Sequence, residues 1–296
     1  MAVWAKLGSG PRQESGGGRS GRRKRWWIVA LVAVIALSAG GWVLYTRARP
    51  YLHGSGCEVR TSLGKMPLDL DQGANGSTIA AVVIRKGLPE RAAVISYATA
   101  IQESHMRNLA GGDRDSVGMF QQRPSQGWGS PDKLRDPVQS TSKFLDALVK
   151  VKDYLDLDLH DAAQRVQRSA DGNAYAQHEG DAKVLAQAFG GRSAAGVRCW
   201  YPPNKRTDAR RADALREMRR AFGSRLQVVA PAAPDYAAVR APNERTGWAV
   251  ASWAVTHAQT FGLSEVRFAG RHWRATEGHD GWTHDAKAPA TTVIVR

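Results

Sequence analysis

The chain has 296 residues, of which 43% are hydrophobic; that is room for roughly two domains with a real core, and it excludes global disorder. Two cysteines exclude a disulfide-dense mini-scaffold and a multi-zinc protein. The net charge of +15 invites a nucleic-acid reading, yet residues 1–50 hold +8 of it and the other 246 residues only +7, so no nucleic-acid partner is expected.

In chain order, residues 1–25 are a basic tail that ends in the run RRKRWW at 22–27. WWIVALVAVIALSAGGWVLY at 26–45 then runs for 20 residues without a charge. As a helix it reaches about 30 Å, the thickness of a bilayer's hydrocarbon core. Trp26, Trp27, Trp42 and Tyr45 lie near its ends, where amphipathic rings prefer the interface. The reading is one transmembrane helix; its rivals are a buried helix and a cleaved signal peptide with its small-residue patch at Ser38–Gly41. Five basic residues between Arg19 and Arg25 outweigh Arg47 and Arg49 beyond the span. The expected topology is therefore single-pass in the plasma membrane, with a cytoplasmic N-terminus and residues 46–296 extracellular. The basic run would face anionic phospholipid at the cytoplasmic face. In that oxidising compartment Cys57 and Cys199 are expected to pair, with free or intermolecular cysteines as the alternative.

Residues 46–77 are punctuated by Gly and Pro and read as an extracellular stalk. Helical signals begin at Pro89, and ERAAVISYATAIQESHM places Ala92, Ile95, Thr99, Glu103 and Met106 on one side. GGDRDSVG at 111–118 breaks that helix. Asp136 and Pro137 supply an N-cap and first position for a second helix, a third covers about 160–168, and a fourth runs from near Asn173 to Gly190 and Gly191. Block 78–200 is thus a mainly α domain. Residues 201–242 combine a basic helix at 208–222 with a Pro/Ala-rich linker at 230–242. In the last block, 243–296, an amphipathic helix at 248–262 precedes three short strands, EVRFAG, HWRAT and TTVIVR, with HDGW as a turn. It reads as a small α+β module.

The chemistry concentrates in IQESHMRNLAGGDRDSVGMFQQRPSQGWG, 101–129. A carboxylate on the apolar stripe of a helix is in an environment that disfavours its charged form. A neutral carboxylic acid is what protonates the leaving oxygen of a glycosidic bond. The bland alternative for Glu103 is a salt bridge to Arg107, four residues on. Asp113 and Asp115 are the nearby candidates for a second carboxylate, and either can instead cap the loop or pair with Arg114 or Arg123.

The pair E-S at 103–104, followed by S-V-G-M-F-Q at 116–121, resembles the signature of the soluble lytic transglycosylases of the lysozyme-like superfamily. The run GDRDS-V-G-M-FQQRPSQGWG from Gly112 to Gly129 resembles an actinobacterial, membrane-anchored envelope group more closely still. The resemblance covers about 78–200. It implies a lysozyme-like domain in which Glu103 is general acid and base and Ser104 supports the helix turn. Gly118 and Gln121 would line the sugar cleft. Tyr175 would stand for the family's tyrosine near that acid, although N-A-Y-A-Q departs from the usual A-Y-N-x-G. Phe120 and Trp128 are further candidates for stacking on sugar faces. The implied activity is lytic cleavage of the MurNAc–GlcNAc β-1,4 bond of peptidoglycan, without a cofactor, with hydrolysis of the same bond as the nearby alternative; the other reading is a non-catalytic wall-binding or scaffold protein with envelope-complex partners. Residues 247–282, with G-W-A-V-A-S-W and A-G-R-H-W, resemble a degenerate M15-type peptidase-like module. Thr292 and Ile294 stand where zinc-binding histidines would fall, and His257, His272, His279 and His284 lack the spacing of a common zinc motif, so no metal is expected.

Overall fold

The structure is a computed structural model and describes residues 27, 31–32, 34–35, 37–45, 48, 52–168, 173–229 and 235–296. Contacts divide the chain into two units, Met1–Arg49 and Pro50–Arg296. In the first unit the described residues, among them 37–45, are helical. Among the described residues, however, no helix is long and apolar enough to cross a membrane. That finding overturns the transmembrane helix expected at 26–45, and with it the membrane anchor and the single-pass, extracellular placement. The basic tail 1–25 lies outside the described residues.

The second unit opens with two strands, β1 (Gly56–Thr61) and β2 (Gly64–Leu68), where an irregular stalk was expected. A third strand, β3 (Val197–Trp200), pairs antiparallel with β1 and gives the order β2-β1-β3. Its register sets Cys57 opposite Cys199, and the two are joined as a disulfide. Between β2 and β3 run α1 (Leu70–Lys86), α2 (Glu90–Ser104), α3 (Pro131–Leu134), α4 (Pro137–Leu148), α5 (Leu159–Gln167), a 3-10 turn (Asn173–His178) and α6 (Glu179–Phe189).

α1 is the helix that the sequence pattern concealed. Its middle, Gly73 to Val83, is buried almost throughout, because small residues let neighbours approach its backbone. A Cβ on Gly73 would stand 2.9 Å from the Cys57 sulfur, and one on Gly76 would stand 2.6 Å from the Phe189 ring. The boundaries of α4 follow a simpler logic. The Asp136 carboxylate accepts from the Val138 and Gln139 amides, and Pro137 occupies the position that needs no donor.

Past β3, α7 (Arg211–Phe222) buries Ala214, Met218, Ala221 and Phe222 and turns its arginines outward. The segment expected to be linker instead ends in a strand. β4 (Gln227–Val229), β5 (Ala237–Arg240), β6 (Glu265–Phe268), β7 (Arg271–Arg274), β8 (Thr283–His284) and β9 (Thr292–Val295) form an antiparallel sheet ordered β4-β5-β9-β6-β7-β8. Ala269 and Gly270, both at positive φ, make the two-residue turn between β6 and β7, as the twist of a tight hairpin demands.

The helix preceding β6, α8 (Glu244–Thr256), was expected to be amphipathic. Instead every residue from Thr246 to Thr256 is buried, because α8 is covered on two sides. Toward α1, the Ser77 and Thr256 hydroxyls share a buried hydrogen bond of 2.8 Å. Toward the sheet, Trp248 meets Phe268 edge-on at 5.2 Å. A short α9 (Ala258–Phe261) follows.

His257, at the junction of α8 and α9, stacks on Trp253 at 3.8 Å and sits 2.9 Å from the Trp253 carbonyl through Nδ1. Burial pushes its pKa down to about 4, against a smaller opposing effect of that carbonyl. The fold therefore favours the neutral ring. As pH falls below 6.5 the unfolded chain binds the proton first, so stability declines until the folded pKa near 4 is passed. Between pH 7.5 and 4.5 this one ring should account for roughly 2–3 kcal/mol of lost stability. Urea unfolding at the two pH values, for wild type and His257→Phe, checks it: the variant's loss should be smaller by that amount, and an equal loss rules it out.

Candidate functional site

Glu103 occupies the last turn of α2, half-buried. The Tyr175 hydroxyl donates to its Oε1 at 2.7 Å. Tyr175 is itself buried, on the 3-10 turn Asn173–His178. The second oxygen, Oε2, has no partner among the described residues, and it is not a sealed polar atom. The bland alternative for this glutamate is not realised: Arg107 pairs with Asp69, and with Asp71 at 3.3 Å. Among the described residues Glu103 thus has a phenol on one oxygen and no cation.

The chain leaves α2 through two successive non-glycine residues in the left-handed region, His105 at φ 52° and Met106 at φ 59°, a conformation such residues adopt only when their surroundings enforce it. Here the surroundings are hydrogen bonds from α1. Gln72 Nε2 donates to the His105 carbonyl at 2.8 Å and Asn75 Nδ2 to the Met106 carbonyl at 2.7 Å. Burial of the Met106 side chain adds to them. Ser104 is buried, and its hydroxyl donates 2.7 Å to the Met119 carbonyl. It ties the helix end carrying Glu103 to the loop that follows.

That loop closes on itself where Val117 bridges Gln122. Gly118 stands at φ +76°, and a Cβ there would lie 2.3 Å from the Leu134 carbonyl oxygen, so no other residue fits without displacing α3. Gln121, at φ 46°, uses its side chain internally: its amide donates to the Gly118 carbonyl at 2.9 Å and its oxygen accepts from the Ser116 hydroxyl at 2.9 Å. Gln121 therefore shapes the loop through contacts within it, and Gly118 through its close approach to Leu134.

Two of the expected sugar-stacking residues are elsewhere. Phe120 is fully buried and stacks on Phe144 at 4.6 Å; it lies in the core, where no sugar reaches it. Trp128 is half-buried and lines a cavity with α4 and α5 whose lining includes neither Glu103 nor Tyr175. The loop's carboxylates are also accounted for. Asp115 accepts from the Ser125 amide at 2.7 Å and from Arg123 at 2.8 Å. These bonds, the Ser125 amide foremost, hold its pKa down at about 2. Asp113 is solvent-exposed, 3.9 Å from Arg114. Asp115 thus pins the turn at 123–125.

Sequence reasoning missed two neighbours of this site. Gln102 Oε1 lies 2.9 Å from His178 Nε2 and accepts from Gln177 Nε2 at 3.3 Å. His178 is three residues after Tyr175 on the 3-10 turn, which repeats every three residues, so the tyrosine's placement carried the signal for it. Burial lowers the His178 pKa, Asp181 opposes that, and the nearby His105 adds to it.

For metal, Asp158, His160 and Asp161 bring ligand atoms within 4.8 Å of one another at the exposed start of α5. Acidic residues favour a helix N-terminus without any ion. Among the described residues the four C-terminal histidines make no three-ligand group. His272 hydrogen-bonds Thr283 at 2.8 Å, His279 stacks on His53 at 3.8 Å, and His257 lies on Trp253.

No protein-family model matches this chain, and no curated protein matches it. The expected membership in the lysozyme-like, lytic transglycosylase superfamily is thereby overturned, as is the M15-type assignment of the C-terminal module. No family is identified for the chain. The architecture is an α-helix-rich core with two β-sheets.

Proposed function

We propose that this chain cleaves a β-1,4-linked glycan, with the MurNAc–GlcNAc strand of peptidoglycan as substrate and Glu103 as the single general acid and base. The observation that carries the reading is the Tyr175–Glu103 hydrogen bond of 2.7 Å on a carboxyl whose other oxygen is open. A donor on Oε1 fixes the plane of the group and leaves Oε2 for a proton exchanged with substrate. In the first half of the reaction, protonated Glu103 gives its proton to the bridging oxygen as the bond from that oxygen to C1 breaks. In the second half, the MurNAc 6-hydroxyl attacks C1 and yields its proton to Glu103, which closes a 1,6-anhydro ring and restores the acid. No second carboxylate is needed, in keeping with the engagement of Asp115 by Arg123 and Ser125.

Digestion of purified peptidoglycan by the full-length chain, with mass spectrometry of the products, tests this. Anhydro-ended fragments support lytic cleavage; reducing ends would replace it with hydrolysis by the same acid. Tyr175→Phe keeps the buried ring and removes only the donor. It should slow cleavage about tenfold or more, as loss of a hydrogen bond to a charged group does, with the effect in kcat and little in KM. A non-catalytic glycan-binding or scaffold role is the second reading. It is favoured by the burial of Phe120 and the separate cavity at Trp128, which leave Glu103 without the expected stacking rings. Fragment release no greater than that of Glu103→Gln would decide for it.

A further inference from the structure

The groove at Trp128 has a chemistry of its own. The loop at 126–128 and the C-terminal parts of α4 and α5 enclose about 720 Å³, within the range of sites that hold small molecules. The half-buried Trp128 indole supplies its aromatic wall, and Lys143, Lys150, Arg165 and Arg168 rim it, all exposed. Among the described residues none of these four is paired with an acid. Among the described residues of the lining the one carboxylate, Asp146, is engaged by Lys86 at 2.7 Å. Cations at helix C-termini are favoured by the helix dipole, which accounts singly for Lys150, Arg165 and Arg168. It does not account for Lys143 in mid-helix, nor for the convergence of all four around one indole.

We propose that this groove binds an acidic saccharide, with a sugar ring on the face of Trp128 and its carboxylate or phosphate groups among the four cations. Arginine matches either anion through paired N–H donors, while lysine acts as a point charge. The site's single aromatic wall argues for a sugar over single-stranded nucleic acid, which is held by successive stacking faces along a basic track. The proposal does not rest on glycan cleavage at Glu103.

Calorimetric titration of the full-length chain tests it, with trigalacturonic acid as the carboxylated probe, glucose 1,6-bisphosphate as the phosphorylated one, and neutral chitotriose and oligo(dT) as controls. At least one anionic sugar should bind, more weakly as salt screens the charges, and chitotriose should bind about tenfold more weakly or worse. Replacing Lys143, Lys150, Arg165 and Arg168 together by Gln should weaken the anionic sugar by roughly tenfold to a hundredfold; being exposed, these positions leave the fold intact. Trp128→Leu should weaken it too, with unfolding midpoints compared to separate loss of site from loss of fold. Glu103→Gln should bind as wild type does, whichever way the cleavage assay falls. The proposal is overturned if neither anionic sugar binds, if binding survives the fourfold replacement, or if oligo(dT) binds as tightly and ignores Trp128→Leu.

Discussion

Glu103→Gln should reduce glycan cleavage by about 10²–10⁴-fold, the usual contribution of a positioned proton donor and acceptor. Glutamine reproduces the size and plane of the carboxyl group, and its oxygen still accepts from the Tyr175 hydroxyl that sits 2.7 Å from Oε1 in the wild type. The hydrogen bonds that hold the helix end, from Gln72, Asn75 and Ser104, do not touch the altered atoms. What disappears is the proton that reaches the bridging oxygen and the base that later collects one from the 6-hydroxyl. Substrate affinity should therefore change little while kcat collapses, a split that loss of fold does not produce. Single-turnover digestion with product mass spectrometry reads both quantities. A variant that releases fragments at the wild-type rate would remove Glu103 from the chemistry altogether.

The second large effect is on stability. Cys57 and Cys199 are 142 residues apart and joined, and a loop of that length corresponds to about 5 kcal/mol in the chain-entropy account, within a typical measured range of about 2–5. The link also fills space, since the Cys57 sulfur lies under Gly73 of α1. Cys57→Ala combined with Cys199→Ala should lower the unfolding midpoint by roughly 5–20 °C for a unit of this size. Reductant should move wild type toward the variant and leave the variant unchanged. Equal midpoints for the two proteins would mean that the β1–β3 pairing holds without the bond.

Much of the helical order was legible because its punctuation is chemical. Pro89 and Pro137 start helices, Asp136 caps one, and Gly190 stops another. The short strands β6, β7 and β9 were legible too, but Ala269 and Gly270 were read as part of the first of them, and the register of β6 and β7 is known only from the structure. α1 escaped because its inward residues include Gly73, Asn75, Gly76, Ser77 and Thr78, a composition that reads as loop. Those residues are small because a strand, a phenylalanine and a second helix press on them, and that pressure exists only in three dimensions. α8 was half legible. Its periodicity was visible, but its burial on every side depends on a sheet closed by β9, the last strand of the chain. At the site, Glu103 and Tyr175 were both singled out, but only the resemblance suggested that they lie close, since nothing in the spacing of two residues 72 positions apart shows that they touch. The fate of Phe120 turned on which way the six-residue bridged loop, Val117 to Gln122, faces, and local spacing does not determine that.

The bond between Ser77 and Thr256 spans 179 residues. It has a consequence for how the molecule is made. During synthesis the early helices leave the ribosome long before the partner of α1 exists, so α1 carries an unfilled face while most of the chain is still being translated. Folding whose contacts join distant parts of a chain is slow, because long loops must close before the contacts that hold them are formed. α1, whose Gln72 and Asn75 hold the helix end that carries Glu103, therefore completes its packing only after Thr256 has been made.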